Sequence, residues 1–449
     1  MLTCARGGGG ANLLTSRRTT RGQIRSFHYM MEKKVYLHYS HTDSCNSARW
    51  NGRECHEFMY SSRPWQKVVD FYSNVVNGKV PLSSLFQNED TKTCIDEVVE
   101  EETKGRSTGR WERVTFKILL SYHGTCFDGW QKQPGLNTVQ GIVERSLGRF
   151  VDDKKAEKLK DKCLPLEGCT TVAGRTDKGV TALKQACSFY TWRKDIRVQD
   201  VEDAINEAAP GKLRVISVSK VSREFHPNFS AKWRRYFYIF PLNDEGEELG
   251  SELGVEGENY IIEEHNRKLI NGYGAHFGEE RGHLGEEGGG HLARDDLAES
   301  ERGRKPVSFS IDKVNQLLLQ LQGRSLSYKM FARDTKASRS TGPPTECIIY
   351  HVRATEATLP CDNKVPGKGG ERVKVMCVEL VGNRFLRRMV RVLVSTSIRE
   401  AAAGADNDAL LKLMDATCRR ATAPPAPPDG LCLLDVGYAE FNPENCLIP

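Results

Sequence analysis

The sequence predicts an α+β protein built from layers of sheet and helix. Segments with alternating apolar residues, typical of strands, are interspersed with segments whose apolar residues recur every three or four positions, typical of helices. Residues 111–241 run strand, helix, strands, helix, strands, and a similar order begins again in residues 306–440. This order of elements indicates a layered arrangement with two comparable halves.

Residues 35–110 precede the first half and contain one predicted helix. Pro64 suits the first turn of a helix, and residues 88–109 are acidic and polar, which is typical of a linker. We expect the helix to dock on the main body through apolar residues at helical spacing, namely Trp65, Val68, Val69, Tyr72, Val75 and Val76.

The first half, residues 111–241, begins with an alternating segment at 113–122 that predicts a strand. Either Asn137 or Thr138 is expected to cap the helix that carries Val139 to Leu147. The remaining elements predicted here are strands at 168–173, 185–191, 217–221 and 235–240, and a helix at 201–208 that ends at Pro210 and Gly211.

Residues 242–305 are rich in Gly, Glu and His and show little periodicity, so we predict a flexible insertion between the halves. Within it, residues 244–304 hold 17 acidic and 6 basic residues, a net charge of −11. The whole chain carries +6, which leaves +17 on the remainder. A basic body of this kind favours a polyanionic partner such as a nucleic acid.

The second half, residues 306–440, repeats a similar order, and residues 441–449 form a tail. The predicted elements are a helix at 311–322 closed by Gly323, strands at 346–354 and 372–381, a long helix from Asn383 onward, and a closing loop and strand at 423–438.

Composition argues against several classes of protein. The 14 cysteines include no Cys-x-x-Cys pair, which indicates reduced thiols and no metal site. No apolar run reaches the roughly 18 residues that span a bilayer, so we expect no membrane partner. Residues 1–34 are nearly free of acids and contain several arginines, which suits a transit peptide for a mitochondrion or chloroplast. The alternative is an ordinary tail on a protein of the cytoplasm or nucleus.

The most informative segment is Gly-Arg-Thr-Asp-Lys-Gly-Val at residues 174–180. Its glycines permit a tight loop that approaches a bulky ligand closely. The loop holds Asp177 near the permanent charge of Arg175, which suits an ionised, oriented nucleophile or base. Short Gly/Asp stretches are usually plain turns, so the segment gains weight only from the motifs that accompany it.

Three further motifs occur in order along the chain, at residues 122–140, 225–238 and 383–391. Together with residues 174–180 they resemble the TruA family of tRNA pseudouridine synthases, over about Val114 to Tyr438. The resemblance implies two pseudo-symmetric halves that share one continuous, mostly antiparallel sheet, with helices on one face and an RNA cleft on the other. It also implies isomerisation of uridine in the anticodon stem-loop of tRNA, without cofactor or metal, by a homodimer.

The resemblance also implies roles for individual residues. Asp177 matches the catalytic aspartate, Tyr236 the active-site tyrosine, and Arg391 the arginine that pairs with the aspartate, for which we expect a bidentate contact. Arg175 matches an arginine that fills the space left by the flipped nucleotide. The remaining candidates for substrate binding, through RNA phosphates, are Lys178, Lys232, Arg234, Arg235, Arg384, Arg387 and Arg388.

Two other functions stay open on the sequence. One is a catalytically silent RNA-binding protein on the same scaffold, which the joint presence of Asp177, Tyr236 and Arg391 disfavours. The other is a metal-dependent nuclease that uses Asp177, which would need more clustered acids than the sequence offers.

Overall fold

The computed structural model describes residues 48–61, 63–86, 113–242, 305–333, 344–360, 372–416 and 418–449. The predicted transit peptide, the linker at 88–109 and nearly all of the acidic insertion lie outside the described residues, so those predictions are untested.

The described residues form eight α-helices: α1 (Gly52–Tyr60), α2 (Trp65–Val76), α3 (Val139–Ser146), α4 (Asp153–Asp161), α5 (Val198–Asn206), α6 (Ile311–Leu319), α7 (Met389–Ala402) and α8 (Ala409–Met414). Their strands are β1 (Val114–Tyr122), β2 (Thr170–Val172), β3 (Thr181–Thr191), β4 (Leu213–Val221), β5 (Trp233–Pro241), β6 (Ser325–Ser327), β7 (Glu346–Thr358), β8 (Lys374–Gly382) and β9 (Leu431–Gly437).

All nine strands join one sheet with the order β4-β1-β3-β9-β5-β8-β7-β6, and β2 pairs with β3 at one side. The β3–β9 pair is parallel and the other pairs are antiparallel. The predicted α+β class and the continuous, mostly antiparallel sheet are therefore confirmed. Strand β9 comes last in the chain yet lies between β3 and β5, so it connects the first half to the second.

Helices cover one face of the sheet in two groups. Helices α3 and α5 pack on β1 and β3 in one apolar cluster, and α6 and α7 pack on β5, β7 and β8 in another. Tyr236 on β5 touches both clusters, so it marks the seam between them. The RNA cleft expected on the other face of the sheet stays a prediction.

Helix α2 of the N-terminal extension covers the opposite face of the sheet. Strand alternation directs Phe237 and Ile239 to that face, where they meet Val68 and Phe71 of α2. The hydroxyl of Tyr72 donates a hydrogen bond to the carbonyl of Gly430 at 3.0 Å. The predicted helix and its docking on the main body are confirmed.

The C-terminal tail is held on this same face by buried polar groups. The Nε2 of His351 lies 2.9 Å from the carbonyl oxygen of Ile448, and the Glu379 carboxylate accepts a hydrogen bond from the Ile448 amide at 2.8 Å. Burial raises the pKa of Glu379. His351, Glu379 and Cys446 each offer an atom that could bind a metal ion, and these atoms lie within 4.8 Å of one another. Cys446 belongs to the tail, and His351 and Glu379 bind the tail at Ile448, which accounts for this proximity.

Helix boundaries differ from the sequence prediction at two informative places. The helix predicted from Asn383 begins only at Met389, because Arg388 adopts a left-handed backbone (φ 59°, ψ 7°) that cannot continue a helix. Helix α1 was not predicted, although Asn51 and Glu54 form a capping box at its start. Within the described ranges, no helix is long and apolar enough to cross a bilayer.

The docking of α2 predicts the effect of a single substitution. Phe71→Ala is expected to lower the free energy of unfolding by about 3–5 kcal/mol, the usual cost of removing a buried phenylalanine. Gln66→Ala, on the exposed side of the same helix, should change it by less than about 0.5 kcal/mol. Urea denaturation measures both, and equal small losses would contradict the docking.

Candidate active site

The loop at residues 174–180, called here the Asp177 loop, connects β2 to β3 and is fixed by buried hydrogen bonds. The hydroxyl groups of Thr176 and Tyr122 lie 2.8 Å apart, and the side-chain amide of Gln185 donates through Nε2 to the Gly174 carbonyl at 2.7 Å. The Trp130 amide donates to the Thr176 carbonyl at 3.1 Å. These contacts hold the backbone on both sides of Asp177, so its carboxylate has a defined position.

Two glycines allow the close packing around this loop. A Cβ at Gly124 would lie 2.3 Å from the carbonyl carbon of Val180, which leaves no space for a side chain. Gly179 has a φ of +82° and lies against Pro428. A residue with a side chain would be strained at both positions.

Three guanidinium groups surround the Asp177 carboxylate. Its oxygens lie 3.8 Å from Nε of Arg387, 3.8 Å from Nε of Arg388 and 3.9 Å from Nη1 of Arg391. These distances permit charge attraction but exceed those of hydrogen bonds. Arg391 and Asp177 are neighbours as predicted, whereas the expected bidentate contact is not formed, because their nitrogen–oxygen distance of 3.9 Å is too long for a hydrogen bond.

The side chain of Asp177 is 27% exposed, so part of it faces solvent. The gap through which solvent reaches this carboxylate is called here the opening. No residue within the described ranges donates a hydrogen bond to either carboxylate oxygen. Both oxygens are therefore available to a substrate.

Arg391 is buried and is aimed by its own helix and by residues 423–430, called here the closing loop. Its Nε donates to the Ala426 carbonyl at 2.6 Å, and the Ala426 amide donates to the Arg391 carbonyl at 3.1 Å. Pro428 of the same loop lies against Gly179. The closing loop thus contacts both the arginine and the Asp177 loop, and it fixes their separation.

Arg388 combines an unusual backbone with an unsatisfied side chain. A left-handed conformation costs a non-glycine residue about 1–2 kcal/mol, and such strain often occurs at functional sites. Its buried Nε has no hydrogen-bond partner among the described residues. Because Arg388 is the N-cap of α7, the positive end of that helix also lies on the side of Asp177.

Tyr236 lies at the seam beside the Asp177 loop. Its hydroxyl oxygen is 4.0 Å from the position that a Cβ would take at Gly174, and its ring makes an edge contact with Phe385, with centroids 5.1 Å apart. Burial raises the pKa of Tyr236 to about 12, so the phenol is neutral at physiological pH. A tyrosine ring can stack on a planar ligand while its hydroxyl forms a hydrogen bond with the same ligand.

Arg175 and Lys178 extend from the Asp177 loop into solvent. The Nζ of Lys178 lies 2.9 Å from a carboxylate oxygen of Asp128, and this contact lowers the pKa of Asp128. Lys178 is therefore paired with a neighbouring acid and not with Asp177. Arg175 is exposed on the same loop.

The predicted phosphate contacts of Arg234 and Arg235 are corrected by the structure. Both side chains are buried. Arg234 donates to the carbonyls of Ala173, Asn228 and Asn383 at 2.7–3.1 Å. Strand alternation turns Arg235 to the opposite face, where it donates to Asn445. Neither guanidinium faces the opening, so neither is placed to bind a phosphate.

The remaining basic candidates lie near the opening or on the surface. Arg387 is exposed and Arg384 is half-buried, and both belong to the segment that precedes α7. Lys232 is exposed and forms an ion pair with Glu440. These residues stay predictions as phosphate contacts.

The charges at the site indicate which chemistry is feasible. The three guanidinium groups around the single carboxylate make the site positively charged, and this charge would repel a divalent cation. Such a cation also prefers several oxygen ligands. The metal-dependent nuclease therefore has no support in this geometry. A fixed anion beside a neutral phenol suits attack on, or stabilisation of, an electron-poor carbon in a ligand bound at the opening.

Some contributors to the site carry no clear signal in the sequence. Tyr122 and Gln185 hold the Asp177 loop from buried strand positions, and Phe385 orients the ring of Tyr236. Tyr122 and Phe385 lie within two of the motifs but received no role from the resemblance, and Gln185 lies outside all four motifs.

Comparisons with known proteins agree with this geometry. Residues 328–439 match a family model described as tRNA pseudouridine synthase. The tRNA pseudouridine synthase A of Borrelia duttonii (strain Ly) is 39% identical over 131 residues, which cover 29% of this chain and 47% of the relative. That of Solibacter usitatus (strain Ellin6076) is 36% identical over 122 residues, covering 27% and 45%. The chain spans about half the length of these two relatives.

A third relative extends over both halves of the fold. The tRNA pseudouridine synthase A of Pseudothermotoga lettingae is 25% identical over 323 residues, which cover 72% of this chain and 99% of the relative. The matched family model and all three relatives are described as tRNA pseudouridine synthases, the class that the motifs containing Asp177, Tyr236 and Arg391 resemble.

Proposed function

We propose that this protein isomerises uridine to pseudouridine in tRNA, with Asp177 as the nucleophile. The observation that carries the proposal is the Asp177 carboxylate, which opens to solvent among Arg387, Arg388 and Arg391 beside the phenol of Tyr236. A protein that only binds RNA has no need of a fixed anion in a basic opening, because that anion repels phosphate.

The reaction requires that the uridine leave its stack. Flipping a nucleotide costs a few kcal/mol, and we assign to the exposed guanidinium of Arg175 the stacking and hydrogen bonds that fill the vacated space. The uracil then enters the opening, where Tyr236 offers a ring at the wall.

The chemistry is an intramolecular exchange of bonds. The N1–C1′ bond breaks, the uracil turns while it is held, and a C5–C1′ bond forms. The proton lost from C5 is balanced by the proton gained at N1, so no cofactor or redox partner is required. Asp177 attacks C1′ of the sugar, attacks C6 of the base, or assists a glycal route, and we assign Tyr236 to the uracil that loses its proton from C5.

The substrate proposed is the anticodon stem-loop of tRNA, which the family resemblance supports, together with a homodimer as the active form. RNA helices are recognised mainly by shape and backbone contacts, and exposed Arg175, Arg387 and Lys232 supply positive charge for such contacts. The proposed compartment, a mitochondrion or chloroplast, depends on residues 1–34 and is tested separately by following a fluorescent fusion of that segment.

Removing the carboxylate tests the mechanism directly. Asp177→Asn is expected to reduce pseudouridine formation on anticodon stem-loop RNA by roughly 10⁴-fold or more, as for loss of other nucleophiles. Its affinity for the RNA should be retained or should rise, since a negative charge is lost. Single-turnover tritium release from uracil C5 and a filter-binding assay measure the two quantities.

The matched control is Asp128→Asn, which removes a nearby carboxylate that pairs with Lys178. It should change the rate by less than about threefold, because an exposed ion pair contributes little. An Asp177→Asn enzyme that turns over like the wild type would exclude the proposed mechanism.

Tyr236→Phe separates the ring from its hydroxyl. The ring remains to stack on the base, so KM should stay within about threefold of the wild-type value, while kcat falls by roughly 10²–10⁴ if the hydroxyl takes part in proton transfer. The mutant should also bind RNA normally. An unchanged kcat would show that Tyr236 acts through its ring alone.

A further inference from the structure

An exposed aromatic ring lies beside the candidate site and has no role in the chemistry above. The side chain of Phe229 is 83% exposed, the highest value for a large apolar residue within the described ranges. An aromatic ring left in water forgoes a large hydrophobic gain. A ring so exposed next to a ligand site indicates that something covers it in the bound state.

The ring is held in place by a compact loop. It stacks on His226, with centroids 4.3 Å apart and planes 28° from parallel. The Nδ1 of His226 accepts hydrogen bonds from the amides of Asn228 and Phe229, each at 3.2 Å. The Ser230 amide donates to the His226 carbonyl at 2.9 Å, which closes the loop. One face of Phe229 is thus supported before any ligand arrives.

The same loop is fastened to the candidate site by Arg234. This buried guanidinium donates to the carbonyl and side-chain oxygens of Asn228, at 2.9 and 2.7 Å. It also donates to the carbonyl of Ala173, directly before the Asp177 loop, and to the carbonyl of Asn383, directly before Arg384. The loop that carries Phe229 is therefore fastened to segments on both sides of the opening.

We propose that Phe229, supported by His226, is a stacking platform for a base of the RNA substrate next to the flipped uridine. The inference rests on the proposed function and adds a contact that positions the RNA. When one nucleotide leaves a stack, its neighbours lose a partner, and an aromatic ring replaces that partner whatever the base. The occupant is a nucleobase and not an apolar protein segment, because the rim continues into exposed basic residues that suit a polyanion.

The test compares Phe229→Ala with Phe229→Trp in the full chain. Loss of one base–aromatic stack should raise the Kd for an anticodon stem-loop RNA about five- to hundredfold, with a parallel rise in KM. Phe229→Trp keeps an aromatic face and should restore both values to within about threefold. Fluorescence of 2-aminopurine beside the target uridine should be quenched by the wild type and by Phe229→Trp, but not by Phe229→Ala.

Val307→Ala is the matched control, since Val307 is 80% exposed but lies outside this loop. It should leave Kd, KM and the quenching unchanged. Unchanged RNA affinity in Phe229→Ala would overturn the inference. This outcome is distinct from failure of the proposed function, which would appear as a wild-type protein that forms no pseudouridine on any tRNA.

Discussion

The attraction between the carboxylate of Asp177 and the guanidinium of Arg391 joins the two halves of the fold at the point where chemistry is possible. Asp177 comes from a loop between two strands of the first half, and Arg391 comes from the first turn of α7 in the second half. Strand β9 brings these elements together, because it pairs with β3 on one side and with β5 on the other. The site therefore exists only when both halves are folded and joined.

Several parts of the structure serve to keep this charge pair at a fixed geometry. The hydroxyl of Tyr122 and the guanidinium of Arg234 hold the backbone near Asp177, and the closing loop holds Arg391. Helix α2 supports the closing loop from the opposite face through Tyr72. The N-terminal extension is thus part of the structure that positions the site, although the family resemblance does not cover it. Because the charged groups are held without direct hydrogen bonds between them, the carboxylate oxygens stay open to a ligand.

Sequence reasoning predicted the features that local chemistry determines. Thr138 caps α3 as expected, and β1, β5 and β8 were readable as apolar segments of strand length because most of their residues are buried. The acid and the arginines were found through the four motifs that carry the resemblance to the TruA family. The apolar Phe385 and Leu386 mimic a helical pattern, so the left-handed turn at Arg388 could not be seen. The buried roles of Arg234 and Arg235 depend on carbonyls from distant segments, which no local pattern reports.

A double-mutant cycle between Asp177 and Arg391 tests this central attraction most directly. The free energy of unfolding is measured for the wild type, Asp177→Asn, Arg391→Met and the double variant. Asp177→Asn alone leaves three guanidinium groups near one another without their counter-charge, so removing Arg391 as well should cost less than the sum of the single changes. We predict a coupling energy of about 0.5–3 kcal/mol, whereas additivity within about 0.3 kcal/mol would contradict the pairing.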